Sequence, residues 1–307
     1  MASVAQAQSA LVDIGTEGWL FPAWDRINRL DVEAMRRAVQ GIIEAVTIIR
    51  GGRMDVVLLV IPSKKRLMRR FLPGAQVAAD IDRRYTMILQ EGRRAQAVVP
   101  DLDTLFRETM GRDPRRVVFF KTDTHWTPVG AEVAAVETAR LMREQLGMPA
   151  SQKPGVRLGD LRPMTLAQGD LLTYVPAAQR ANFGREESWV RQVLPAQGGG
   201  GGLLESDDAD VAVVGTSNMQ PRFAFTEVLS NQLSRPVNLQ WRTNNYGPYY
   251  VLLEYLRSEG FRRQRPRAIV WNLLEIDMIN ASNSSSWGQF AMPPANFISE
   301  LRRLVAV

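Results

Sequence analysis

Apolar residues in this chain come in short unbroken runs, separated by longer stretches with helical spacing. Asp55 to Ile61 reads Asp-Val-Val-Leu-Leu-Val-Ile and is closed by Pro62; Asp210 to Val214 and Ala268 to Leu274 are runs of the same kind. A strand without polar alternation is one covered on both faces, as in a parallel sheet. Elsewhere the spacing becomes three and four. Met35, Val39, Ile42, Ile43, Val46 and Ile49 put one apolar stripe on a helix from about Asp31 to Arg50, ended by Gly51-Gly52. Thr127 then Pro128 predicts an N-cap with proline in the first turn. Val129, Val133, Val136, Ala139, Met142 and Leu146 form the expected buried stripe of that helix, which Gly147 and Pro149 end.

Further helices are expected at about 77–91, 223–233, 249–259 and 297–307, and further strands at 97–99, 117–120 and 237–241. Strands alternating with helices predict an α/β fold, a mostly parallel sheet with helices on both faces. Between about 150 and 205 the periodicity fades. This stretch is expected to be an excursion over the surface of a single 1–307 domain, with the glycines at 198–202 in a loop and 280–286 as a second, polar loop. No internal repeat is present.

Composition narrows the chemistry. Hydrophobic content of 45% and charged content of 23% suit a globular protein with a large core. The net charge is +6, and the basic residues are almost all arginine, with lysine only at 64, 65, 121 and 153. Arginine pairs bidentately with carboxylate or phosphate, so an acidic polymer is one partner class; a merely soluble basic surface is the other reading. No nucleic-acid motif accompanies the arginines, so no nucleic-acid partner is expected. The absence of cysteine excludes disulfides, thiolate catalysis and sulfur-ligated zinc, and with one histidine no metal site and no cofactor are expected. No run has the roughly 18 apolar residues of a membrane span, and Met1 to Gln6 lack the pattern of a signal peptide.

The one histidine, His125, stands in Lys121-Thr-Asp-Thr-His-Trp-Thr-Pro128, between an apolar run and the capped helix. Functional groups of open α/β sheets gather beyond the carboxyl ends of the strands. Asp101/Asp103, Asp123/His125 and Ser217 are the candidates there. Ser217 follows an apolar strand through Gly215-Thr216 and precedes a helix, which would place its N–H and that of Asn218 at a helix N-terminus, suited to an oxyanion. An aspartate bonded to one imidazole nitrogen leaves the other free to take a serine proton. Local pattern leaves two readings open, a catalytic Asp-His pair or a structural histidine beside a helix cap. Asn244-Asn-Tyr-Gly247 likewise reads as a substrate contact through Asn245 or as a plain turn.

Gly18-Trp-Leu-Phe21, Thr122-Asp-Thr-His-Trp-Thr127, Gly215-Thr-Ser217 after an apolar strand, and Val270-Trp271 occur together in this order. The combination resembles the alginate O-acetyltransferase family of SGNH-hydrolase-like proteins over about residues 14–280. The resemblance implies a three-layer sandwich with triad residues Ser217, His125 and Asp123, in permuted order relative to ordinary SGNH esterases. It implies a periplasmic protein that acetylates an exopolysaccharide through an acyl-serine, with acetyl supplied by a membrane-bound O-acyltransferase partner. Asn218, Asn245, Trp126 and Arg222 are the expected oxyanion and substrate contacts. The chain departs from the family at Asn218, where an aromatic is frequent, and at Asn272, where an acidic residue is common; no separate carbohydrate-binding module is expected. An acetylesterase or deacetylase with the same triad, and a non-catalytic polysaccharide-binding subunit, are the alternatives.

Overall fold

The computed structural model describes residues 11–195 and 209–306; the expected loop at 198–202 and the N-terminal hexapeptide lie outside the described residues. In chain order the elements are β1 (Val12–Ile14), β2 (Leu20–Pro22), α1 (Val32–Gly51), β3 (Asp55–Ile61), α2 (Arg83–Arg94), α3 (Leu102–Arg112) and α4 (Pro128–Leu146). Then come β4 (Leu158–Leu166), β5 (Glu186–Val193), β6 (Val211–Gly215), α5 (Phe225–Leu233), β7 (Val237–Trp241), α6 (Gly247–Arg257), β8 (Ala268–Leu274) and α7 (Pro294–Val305).

The three uninterrupted apolar runs are the centre of the sheet. Its order is β3-β8-β6-β7, all parallel, with Val57 and Val213 both beside Val270. Because strand side chains alternate, each run feeds two cores. Val56, Leu58, Val60, Val214, Ile269 and Trp271 pack with α1, α2, α6 and α7. Val57, Leu59, Val211, Val213 and Val270 pack with α3, α4 and α5. The expected architecture, a parallel sheet between two helical layers, is the observed one. Among the described residues no helix is long and apolar enough to cross a membrane.

Three local expectations need correction. Residues 117–120 form no strand. Val118 accepts from Thr127 N (2.9 Å) and Phe120 N donates to His125 O (3.3 Å), so the run spends its hydrogen bonds on its own returning chain rather than on the sheet. Residues 97–99 contribute only a bridge, Val57 with Val98. The helix expected from 77 begins at Arg83, after turns closed by Ala78 O and Asp80 O.

Helix α4 starts where Thr127 and Pro128 predict, the threonine side chain accepting from Gly130 N. Of the expected stripe Ala139 and Met142 are buried, but Val136 is exposed, and the rest of the buried face is Gly130, Ala131, Ala134, Ala135 and Thr138. Small residues let the helix close on the backbone of Val118. A Cβ at Gly130 would lie 2.5 Å from the Val118 carbonyl oxygen. That backbone is tied at both sides, so Gly130→Ala is expected to lower unfolding free energy by about 1–3 kcal/mol in urea denaturation. A loss below ~0.5 kcal/mol, within the range of an ordinary surface change, would show that α4 shifts freely.

Candidate active site

The carboxyl ends of the parallel strands meet at one cavity of about 240 Å³. Beyond β3 come Ser63 and Lys64, beyond β8 Glu275, beyond β6 Ser217 and Asn218, and beyond β7 Asn244. His125 enters from the side on the loop between Phe120 and α4. That loop is short because Phe119 and Trp126 pair antiparallel, and Thr127 donates its hydroxyl to Val117 O at 2.6 Å.

Three of the predicted residues come together. Ser217 Oγ lies 2.8 Å from His125 Nε2, and His125 Nδ1 lies 2.5 Å from Asp123 Oδ1. With Nδ1–H donating to the aspartate, Nε2 is left to accept the serine hydroxyl. Asp123 Oδ1 also accepts from His125 N (2.9 Å), and Oδ2 accepts from Asp170 N (3.0 Å). Burial raises the Asp123 carboxyl, but the hydrogen bonds and charge of His125 outweigh it and hold it at about 2. The aspartate is therefore an anion throughout the neutral range. His125 and Asp123 are buried, Ser217 half-buried, and Phe223 lies 5.6 Å from the imidazole, ring to ring.

Ser217 opens a single 3-10 turn, Ser217–Met219, rather than the α-helix expected from the sequence. Met219 N is bonded back to Thr216 O at 2.8 Å. The turn's own bonding begins at Met219, which leaves the N–H groups of Ser217 and Asn218 outside its ladder. Gly215 is required by a close approach: a Cβ there would sit 2.6 Å from Asn272 Cβ. The asparagine that departs from the family pattern thus packs behind the serine turn, donating Nδ2 to Leu59 O at 3.2 Å.

The remaining expectations divide. Asn218 lines the cavity and its carbonyl accepts from Trp126 Nε1 at 2.9 Å. Trp126 itself is fully buried against Phe225, holding the serine turn from beneath and making no part of the cavity wall. Asn245 is exposed and accepts from the Thr243 hydroxyl at 2.6 Å, while its neighbour Asn244 faces the cavity. Arg222 is exposed over the Phe223 ring, 4.6 Å from its centroid, and does not line the cavity. Asp101 caps α3, and Asp103 pairs with Arg66 and Arg107.

Four residues that periodicity does not find shape the site: Asp170, Glu186 and Lys64 hold the motif in place, and Glu275 ties together the segments beside it. Asp170 bonds Thr124 through both carboxylate oxygens and lies 3.7 Å from His125 Nδ1; burial and the charge of Asp123 raise its carboxyl. Asp123, His125 and Asp170 also converge closely enough to share an ion, but these groups are already bonded to one another and to Thr124. Glu186 at the start of β5 accepts from Lys121 N, Thr122 N and the Thr122 hydroxyl, at 2.5 to 2.8 Å. Lys64 donates to the carbonyls of Lys121 (2.9 Å) and Asp123 (2.8 Å). Glu275, fully buried, accepts from Ser63 N (2.7 Å), Arg66 Nε (2.8 Å) and Arg84 Nε (3.0 Å). Lys64 and Glu275 could be found as the polar residues just past β3 and β8. Asp170 and Glu186 lie in the stretch without periodicity, where no comparable signal exists.

A buried carboxylate shared by two buried arginines cannot be removed cheaply. Glu275→Gln is expected to cost about 3–5 kcal/mol in urea denaturation, and a cost below ~1 kcal/mol would mean that the cluster is solvated. Lys64 gives a pH signature. Burial draws its ammonium from 10.5 down to about 7, against the charges of Glu186, Asp123 and Asp170. An unfolded lysine keeps its proton to about 10.4, so from about pH 7 to 10 the unfolded chain binds more protons and Lys64 makes stability rise with pH. The thermal midpoint of Lys64→Met is expected to gain less than wild type over that interval; equal slopes would refute the assignment.

Comparison with known proteins gives the site its relatives. The family model "SGNH hydrolase-like domain, acetyltransferase AlgX" matches residues 12–275. The "Probable alginate O-acetylase AlgJ" of Pseudomonas aeruginosa is 32% identical over 297 residues, covering 90% of this chain and 72% of that protein. The solved O-acetyltransferase domain of Pseudomonas putida AlgJ aligns with a TM-score of 0.74 at 26% identity, covering 95% of this chain and 98% of that one. Pseudomonas aeruginosa AlgX shares the fold, with a TM-score of 0.63 at 18% identity over 92% of this chain and 69% of that one. The chain therefore belongs to the SGNH hydrolase-like family of AlgX-type acetyltransferases.

Proposed function

We propose that the chain is an O-acetyltransferase that esterifies hydroxyls of a secreted polysaccharide through an acyl-serine on Ser217. The observation that carries this reading is the continuous hydrogen-bond line Asp123–His125–Ser217, with distances of 2.5 and 2.8 Å, at the floor of a small cavity. His125 Nε2 takes the serine proton as Oγ attacks the acetyl carbonyl of a donor ester. Asp123 fixes the tautomer and stabilises the imidazolium. The N–H groups of Ser217 and Asn218 are the candidate donors to the oxyanion. The imidazolium then returns its proton to the leaving group. In the second half His125 takes a proton from the sugar hydroxyl as it attacks the acyl-serine, and the imidazolium returns that proton to Ser217 Oγ as the acetyl group leaves on the sugar.

The relatives' names point to alginate as the polysaccharide type, and the family resemblance supports a periplasmic setting with a membrane-bound O-acyltransferase supplying acetyl groups. No metal or bound cofactor enters these steps. Ser217 lines the cavity of about 240 Å³ and is partly exposed, as a nucleophile that must meet both a donor and an acceptor requires.

Incubation with 4-nitrophenyl acetate should add one acetyl group to the intact protein, located on Ser217 by peptide mass mapping. Ser217→Ala should remain unmodified and inactive, and Asp123→Asn should lose roughly 10⁴-fold in kcat, the cost of the wrong tautomer in such triads. Wild-type turnover by a folded Ser217→Ala protein would end the proposal. With an oligosaccharide acceptor present, acetylated sugar supports transfer, whereas acetate as the sole product assigns the site to hydrolysis.

A further inference from the structure

The segment following β2 alternates in and out without belonging to a sheet. Trp24, Arg26, Asn28 and Arg29 are exposed, whereas Asp25 and Ile27 are buried between them. The inward residues are anchors. Asp25 accepts from the Ser63 hydroxyl and pairs with Arg84 at 2.9 Å; Ile27 O accepts from Ala78 N at 2.8 Å, and Arg26 O from Arg84 Nη1 at 3.4 Å. An anchored segment of this kind presents its outward side chains in fixed order.

Those side chains line a path that starts at the reaction cavity. Trp24, Asp25 and Ile276 line both that cavity and a neighbouring depression of about 280 Å³. Arg26 and Arg29 line this depression and also a third, of about 700 Å³, on its far side. At the junction with the reaction cavity Trp24 is 45% exposed and meets Tyr174 edge-on, with centroids 5.9 Å apart. An indole left this open beside a catalytic cavity is a platform for a flat partner with an apolar face, which is what the C–H face of a pyranose ring offers.

The charges beyond Trp24 are one-sided. Arg84 is matched by Asp25 and Glu275, and Lys65 by Asp13 at 2.5 Å. Asp31, the remaining acid, accepts from Ala34 N as the cap of α1. The guanidinium groups of Arg26 and Arg29 have no ion pair among the described residues. An exposed arginine fork is suited to bidentate recognition of a carboxylate.

We propose that the polysaccharide acceptor leaves the reaction cavity over Trp24 and Tyr174 and runs across Arg26 and Arg29, whose exposed forks hold carboxylates along the chain. This rests on the acetyl-transfer reading for the role of the site, but the binding path can be tested without the chemistry. The probe is a uronic-acid oligosaccharide, compared with a neutral cello-oligosaccharide of the same length. Both are titrated calorimetrically into the full chain carrying Ser217→Ala, at low and raised salt.

The oligouronate is expected to bind about tenfold or more tightly than the neutral oligomer, with affinity falling as salt rises. Adding Arg26→Ala and Arg29→Ala together should remove about tenfold of that affinity and flatten the salt dependence. Trp24→Ala should weaken binding and abolish the fluorescence change on titration. Arg112→Ala, an exposed arginine outside the path, is the control expected to bind normally. Thermal midpoints at the wild-type value establish that each variant is folded. Unchanged affinity in the folded Trp24 and Arg26/Arg29 variants, equal binding of the neutral oligomer, or no oligosaccharide binding would each overturn the path. Intact binding without an acyl-serine would instead sink the catalytic reading alone.

Discussion

The carboxylate of Glu275 is the point on which the carboxyl-terminal end of the sheet hangs. It sits just past β8 with no exposure, yet it is bonded to the backbone beyond β3 and to two arginines, Arg66 and Arg84. Desolvating one anion and two cations is expensive, and the cost is offset only because nearly every polar atom is matched. Arg66 reaches on to Asp82 and Asp103, Arg84 to Asp25. Five chain segments, distant in sequence, are therefore fixed relative to one another beside the cavity. Hydrophobic packing also holds the helices on the sheet, but it has no directional demand of this kind.

A second, smaller lock holds the histidine loop. Lys64 takes two carbonyls of residues 121–123, Glu186 takes the neighbouring N–H groups, and Asp170 takes both polar groups of Thr124. Every bond ends on a side chain from a different part of the chain. His125 is thus positioned by groups around the loop as well as by the loop's own pairing of Phe119 with Trp126, and the line to Ser217 follows from where β6 ends. The order of the three residues in sequence is then irrelevant to the geometry: strand ends and one side loop converge whatever their connection.

The sequence made the sheet legible because burial on both faces leaves a one-sided signature, an unbroken apolar run. β3 and β8 have the predicted ends, and β6 differs by one residue. The run at 117–120 carries the same signature and forms no strand, since its hydrophobicity reports burial and not the partner of its hydrogen bonds. The valine stripe of α4 misled for a related reason: helical spacing marks a face, but close approach to Val118 demanded the smaller one. At the site, Ser217 could be read from its place past the end of an apolar strand, and Asp123 and His125 from the motif that holds them. Asn245, Trp126 and Arg222 could not be placed, because side-chain direction in turns depends on one or two residues of register. Asp170 and Glu186 were invisible, since a hydrogen bond across 45 or more residues leaves no local pattern.

The antiparallel pair β4 and β5 bears on how this scaffold can vary. It is joined on one flank by Arg191 to Glu132 of α4, and its outer face carries exposed Leu161 and Trp189. It looks like an appendage that could be exchanged for another without consequence. Yet the connection between its strands supplies Gly169 and Asp170, and β5 begins with Glu186. A side chain at Gly169 would meet the Thr122 carbonyl oxygen at 2.1 Å. An engineer who grafts a different hairpin here to change acceptor preference inherits those three positions as fixed terms. The exposed outer face of the appendage is free to be rewritten, but those three belong to the histidine.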